Sequence, residues 1–312
     1  MAGETRAGGS EGARTLPPPW PRPGIRTDLA SSALEAARFF DFADGQIYTV
    51  THAALPPCRG AVLLCGPFGV ERERAYLTLV LWARMLAARG FEVMRFDYRG
   101  NGESSGTFED MTLSRWREDA AFCAARLSAA AHGGALVLQG IRLGALIAAE
   151  LFASGVGDGL LLWAPPASAE ALLRDTLRHN LVAQRMADPG SPPRMREQLI
   201  AALEAGELVN VDGYFWTRAL WMEAKQHPLL LPPASEARPW HALEAQSGAA
   251  ATSRTSRLGR PEAVDADTFW KSSSPLLVPR SEGFFQASLR WLDENEPWPG
   301  SGADRGIVNG SV

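Results

Sequence analysis

The sequence predicts an α/β fold, a mostly parallel sheet covered by helices on both faces and interrupted by a helical insertion. Two observations carry this. Short, continuous apolar runs alternate with longer amphipathic ones, and continuous rather than alternating apolar strands belong to parallel sheets buried on both sides. From about Ser168 to Pro233 that rhythm gives way to helical periodicity alone, which reads as a cap over the strand ends, where ligands of such sheets bind.

The elements follow in order. FFDF and QIYTVTHA (39–53) read as an antiparallel opening hairpin. AVLLC (61–65) is a buried strand bounded by Gly60 and Gly66, and ERERAYLTLVLWARMLAARG (71–90) is a helix with apolar residues at Ala75, Leu79, Trp82, Met85 and Leu86 and a glycine stop. EVMRF (92–96), the helix at 111–130, ALVLQ (135–139), the apolar helix LGALIAAELFA (143–153) and LLLW (160–163) continue the alternation. In the insertion, Leu172, Leu173, Leu177, Leu181 and Val182 form one stripe and Met195, Leu199 and Leu203 another, and GYFWTRALWMEA (213–224) is a third, aromatic-rich segment. The chain returns with WHALEA (240–245), PEAV (261–264) and a helix over GFFQASLRWLDE (283–294). The expectation is an eight-stranded sheet with the insertion after strand six. The core takes residues 31–167 and 236–298 and the cap 168–235. Disordered ends are expected at 1–30, rich in Gly and Pro, and at 299–312, and SGAAATSRTSRLGR (247–260) reads as a surface loop.

Composition narrows the function. Of 312 residues 46% are hydrophobic, and the net charge of −4 lacks the basic footprint of a nucleic-acid binder. Among 31 bases only Lys225 and Lys271 are lysines. Three cysteines (Cys58, Cys65, Cys123) without a C-x-x-C spacing offer neither a disulfide framework nor a zinc knuckle. No histidine or acidic cluster suggests a metal, and no cofactor is implied. No apolar run reaches the roughly 18 residues of a membrane span. The start, MAGETRAGGS, lacks the basic-then-apolar order of a signal peptide, so a soluble cytoplasmic protein is expected.

Two motifs carry the chemistry. RFDYRGNGESSG (95–106) follows a strand, its glycines permitting a tight turn that Asp97 and Arg99 can brace. QGIRLGA (139–145) lies at a strand-to-helix junction, and its Gly140-x-x-x-Gly144 frame is that of the G-x-S-x-G nucleophile elbow with Arg142 at its centre. With these motifs, residues from about 39 to 294 resemble the α/β-hydrolase superfamily, in particular its serine-aminopeptidase-like members. The G-I-R-L-G-A elbow, C-G-P-F-G (65–69), L-L-W-A-P (161–165) and Phe269–Trp270 are similar to the exosortase A system-associated hydrolase 2 group, encoded beside exopolysaccharide and protein-sorting genes.

That resemblance implies a Ser at the position of Arg142. A guanidinium stays charged and is neither nucleophile nor general base. At a helix N-terminus it also opposes the dipole, at a cost of a few tenths to ~1 kcal/mol. Arg142 therefore either swings away or pairs with an anion, from Glu71, Asp97, Asp110 or Glu244 in a structural ion pair that plugs a dead site, or from a ligand. The fold's histidine should follow strand eight, but the segment there is DADTFWKSS, and no histidine follows His241. Glu244 stands near the acid position and, without an imidazole to orient, reads as a loop carboxylate. Asp265 and Asp267 read the same way.

Other candidates have a plain reading beside the chemical one. Backbone N–H groups of Phe68 and Leu143 stand where an oxyanion hole would be. Cys65 is a substitute nucleophile or, as a strand-end cysteine, buried packing. Ser104 and Ser105 cap the glycine turn or take part in chemistry. His179 and His227 in the insertion are a base over the pocket or surface residues. Tyr214, Phe215, Trp216, Trp221, Phe269 and Trp270 line an acyl pocket or fill the cap's own core. Three functions stand open: a non-catalytic or repurposed protein binding a small acyl or carboxylate ligand as an accessory to envelope or exopolysaccharide assembly, an active enzyme with an atypical site around Arg142, or a module for a protein partner in which the pocket is vestigial.

Overall fold

The computed structural model describes residues 34–130, 134–187, 190, 192–233, 236–246, 261–271 and 280–296. The expected arm, tail and 247–260 loop, together with His132, lie outside them. Eight strands form one sheet: β1 (Glu35–Phe42), β2 (Gly45–His52), β3 (Gly60–Cys65), β4 (Phe91–Phe96), β5 (Leu136–Ile141), β6 (Gly159–Trp163), β9 (Trp240–Ala245) and β10 (Glu262–Val264). Their spatial order is β1-β2-β4-β3-β5-β6-β9-β10. The β1–β2 and β2–β4 pairs are antiparallel and the remaining pairs parallel.

Every residue of β3, β5 and β6 is buried, as the continuous apolar runs require. Two apolar layers account for this. One packs Ala75, Leu79, Trp82 and Leu86 of helix α1 (Gly69–Ala88) with Phe284, Phe285 and Leu289 of α7 (Glu282–Glu294). The other packs α2 (Leu113–Ala130) and α3 (Leu143–Ala153) and continues into the insertion. Trp163, wholly buried in the first layer, donates its indole N–H to Ser288 Oγ at 2.9 Å and so leaves no orphan donor.

Between β6 and β9 lie α4 (Ala169–Ala187), α5 (Arg196–Ala205), β7 (Val209–Val211), β8 (Tyr214–Trp216) and α6 (Arg218–Ala224). The helices-only expectation is corrected here, because β7 and β8 form an antiparallel hairpin. Its turn is Asp212-Gly213, with φ of 53° and 92°, and the Gly213 N–H donates to Asn210 Oδ1 at 2.9 Å. Asp-Gly between alternating apolar residues is a two-residue hairpin signal, and V-N-V-D-G-Y-F-W carries it. The aromatic-rich segment at 213–224 thus divides into β8 and α6 rather than continuing the helical rhythm. Thr217 instead caps α6, accepting from the Leu220 N–H at 3.3 Å. Leu172, Leu173, Leu177, Leu199 and Leu203 are buried as their spacing predicts, whereas Met195 lies exposed at the start of α5.

His52 ends β2 at 1% exposure, and burial together with the Arg95 charge pushes its pKa down to about 4. In the unfolded chain the ring takes its proton near pH 6.5. Between those values the unfolded state holds the extra proton, so stability is expected to fall as pH drops from about 6.5 to about 4. His241, also pushed down by burial, adds the same sign. In a denaturant series against pH, His52→Gln should remove on the order of 2 kcal/mol of that decline; an unchanged pH slope would contradict the burial of a neutral ring.

Candidate functional site

The centre of the site is the turn between β5 and α3. Arg142 holds φ 56° and ψ −118°, outside the basins an L-residue favours, at a cost of about 1–3 kcal/mol. The neighbours enforce it. The Arg142 N–H donates to the Trp163 carbonyl at 3.1 Å, and the Arg142 carbonyl accepts from the Ala145 N–H at 3.0 Å. A Cβ on Gly144 would run into the Cys65 carbonyl, and one on Gly140 into the backbone of Ala145. Only glycine at both positions lets α3 pack this closely on the end of β3, which fixes a sharp strand-to-helix turn.

The Arg142 guanidinium meets Glu71 in the first turn of α1. Nε and an Nη each donate to Oε1 at 3.2 Å, and Nε lies equally close to Oε2. The two side chains are 11% and 10% exposed, so the pair is largely withdrawn from water. Burial raises the Glu71 carboxyl above its usual range, with Arg142 the principal opposing charge. The Trp270 ring lies under the guanidinium, 5.5 Å from its carbon, within cation–π range. Lys271 reaches across to Asp175 of α4 at 3.2 Å, tying insertion to core directly beside this pair.

Of the four carboxylates available to Arg142, the structure selects Glu71. Asp97 is held by Arg72, with contacts of 2.9 and 2.6 Å, and accepts the Glu103 N–H at 3.0 Å. Asp110 accepts from the Thr107 hydroxyl at 2.7 Å. Glu244 is the penultimate residue of β9, not a loop carboxylate. Parallel pairing with β10 extends the strand through it. Its side chain reaches solvent, yet desolvation by the surrounding protein holds the carboxyl above its usual range, opposed by Arg142 and Lys271.

Cys65 is fully buried and its thiol is pushed up to about 12, which leaves it protonated at neutral pH and unreactive. Ser104 and Ser105 brace the turn: Ser104 Oγ donates to the Asp97 carbonyl at 2.6 Å and accepts from the Tyr48 N–H, and Ser105 Oγ accepts from the Gln46 N–H. His179 is exposed on α4, its Nδ1 2.8 Å from the Asp175 carbonyl oxygen, and His227 makes the equivalent contact to Glu223. Neither imidazole is bonded to the elbow.

Phe68 and Leu143 do flank the elbow. Leu143 opens α3, where its N–H has no partner within the helix. Beside Phe68 the described residues leave little room. Phe68 packs on Phe108, Trp116 and Trp216 at centroid distances of 6.1, 5.5 and 6.0 Å. The Tyr214 hydroxyl donates to Glu73 at 2.7 Å, fastening the hairpin to α1. The cleft lined by Phe68, Glu71, Thr176, Val211, Tyr214 and Trp216 holds about 10 Å³, the room of roughly one water. Trp216 and Trp221 fill the insertion's own core, whereas Phe269 and Trp270 belong to the opposite layer, against Phe284. β10 carries them to the α7 face.

Residues 58–193 match the family model of serine aminopeptidase, S33. Est1E from Butyrivibrio proteoclasticus, solved with ferulic acid bound, is 18% identical over 68% of this chain and 78% of its own, with a TM-score of 0.50. The chain has the α/β-hydrolase fold. Further structures with this similarity are an α/β serine hydrolase without lid from Xanthomonas campestris (25% identity, 43% of this chain, TM-score 0.38) and α/β hydrolase domain-containing protein 10 from mouse (17%, 67%, 0.43). The chain spans 62% of the length of the Xanthomonas protein and 77% of the mouse protein. No curated protein matches the sequence.

In the α/β-hydrolase fold the nucleophile stands on a strained strand-to-helix turn, and here that turn presents Arg142. The Trp270 ring, after β10, lies against it. The sequence pointed to Arg142 and Trp270 separately but gave no sign of their contact, nor of the Lys271–Asp175 tie. Removing one partner from a buried ion pair strands the other charge, so Glu71→Gln and Arg142→Met should each cost about 2–4 kcal/mol in chemical denaturation. The double variant Glu71→Leu/Arg142→Met should return to within about 1 kcal/mol of the parent. A neutral Glu71→Gln would show that the pair holds nothing in place.

Proposed function

We propose that this protein is a hydrolase-fold protein without acyl-transfer chemistry, in which the Arg142–Glu71 pair replaces the serine nucleophile and seals the elbow. The observation that carries this reading is the guanidinium itself, at the strained turn and bonded to a buried carboxylate. A group that stays protonated neither attacks a carbonyl nor takes a proton. The small cleft beside Phe68 and Glu71 supports it too, because acyl transfer needs room for a substrate carbonyl near the oxyanion donors, and the described residues there leave space for roughly one water. The role that follows is that of an accessory protein binding a small acyl or carboxylate ligand or a protein partner. The motif resemblance to exosortase-associated hydrolases suggests a place in envelope or exopolysaccharide assembly, in the cytoplasm. Among the described residues no helix is long and apolar enough to cross a membrane.

A second reading, an active enzyme built around Arg142, draws on Glu244, whose carboxyl is held high near the guanidinium as an acid–base group would be. The two readings separate in one experiment. A serine-directed fluorophosphonate should leave the purified protein unlabelled, and p-nitrophenyl ester turnover should match buffer in the parent and in Arg142→Ser alike. Labelling of the parent, or parent turnover abolished by Arg142→Ala, would overturn the non-catalytic assignment. Esterase activity gained by Arg142→Ser would reveal a histidine base within reach of the elbow.

A further inference from the structure

A recess of about 540 Å³ opens on the flank of the sheet, between β1, β2 and β4 on one side and the first turns of α1 on the other. That volume falls within the range of small-molecule sites. Tyr214 and its bond to Glu73 stand between this recess and the small cleft beside Phe68 and Glu71.

Arg95 of β4 lines the recess and is held from behind. Its Nε donates to His52 Nε2 at 3.0 Å. A guanidinium N–H only donates, so Nε2 accepts and the neutral ring carries its proton on Nδ1, 3.5 Å from a Glu35 carboxylate oxygen. Glu35 is fixed in turn by Arg84 at 2.6 Å. This chain of contacts engages the Nε edge of Arg95 and leaves the terminal fork of the guanidinium for another partner. The neighbouring cations are satisfied: Arg72 holds Asp97, Arg99 holds Asp119 and Arg142 holds Glu71. Among the described residues Arg95 has no carboxylate within 4.0 Å.

The walls are aromatic. The Tyr76 ring lies 5.4 Å from the Arg95 guanidinium carbon. Phe39, 54% exposed, packs on Tyr48 at 5.1 Å between centroids, and Tyr76 is itself 48% exposed. Glu73, Asp97 and Glu103 also border the recess, so a dianion such as a phosphate ester would meet like charge. A single carboxylate suits the planar fork, and an apolar body suits the rings.

We infer that this recess is a binding site for a small monocarboxylate with an aromatic or apolar body, its carboxylate taken by the fork of Arg95 and its body laid against Tyr76, Tyr48 and Phe39. The site is separate from the elbow, and its occupancy does not depend on whether the elbow is catalytic.

Calorimetric titration of the full-length protein with 3-phenylpropanoate, 3-phenylpropanamide and phenyl phosphate tests this. The acid should bind with a Kd of about 1 mM or tighter, and the amide and the phosphate at least about tenfold more weakly. Arg95→Gln should reduce the acid to the level of the amide at unchanged melting temperature. Tyr76→Ala, at an exposed helix position, should weaken acid and amide alike. The Glu71→Leu/Arg142→Met double variant should bind the acid as the parent does. The assignment is overturned by equal binding of acid and amide, by tighter binding of the phosphate, by acid binding that survives Arg95→Gln or is lost in the double variant, or by no acid binding at about ten times the expected Kd.

Discussion

The desolvated pair of Arg142 and Glu71 governs the sheet end where this fold places its chemistry. A guanidinium at the start of α3 opposes the helix dipole and is costly away from water. Glu71, one turn into α1, is the carboxylate that offsets both. Once the pair forms, α1 and α3 are tied across the end of β3, and Trp270 closes over the guanidinium from the other layer. The insertion then has a closed surface to pack on, fastened by Tyr214 to Glu73 and by Lys271 to Asp175.

The elbow backbone is independent of the side chain it presents. Its strained dihedrals are set by Gly140, Gly144 and the hydrogen bond to Trp163, all of which would serve a serine equally well. Strain of this kind usually persists where a mechanism uses it. Here the same geometry aims a cation at a buried acid. A fold can keep its frame while the side chain it presents changes, which is why architecture alone does not decide activity.

Among the described residues a larger recess opens on the outer flank of this sheet end. The β1–β2 hairpin and the start of α1 bound it, and the buried neutral His52 orients Arg95 toward it. Two arginines on one sheet end thus have opposite circumstances. Arg142 is sealed with an internal acid, whereas Arg95 is braced by an uncharged acceptor that supports its position without neutralising it.

The amino-acid sequence alone determined the strand and helix order, the place of the insertion and the Arg142 elbow, because these rest on local periodicity and on glycines spaced for a turn. The β7–β8 hairpin was legible in Asp212-Gly213 but was obscured by the aromatic residues after it. Tertiary structure alone decided which of four acids meets Arg142, that Trp270 lies beneath it, that Glu244 lies within a strand and that Arg95 has no acid of its own among the described residues. Each of those depends on residues that strand order brings together from 19 to 128 positions apart along the chain. Pairings at that distance are chosen by packing and desolvation, which leave no periodic trace in the sequence.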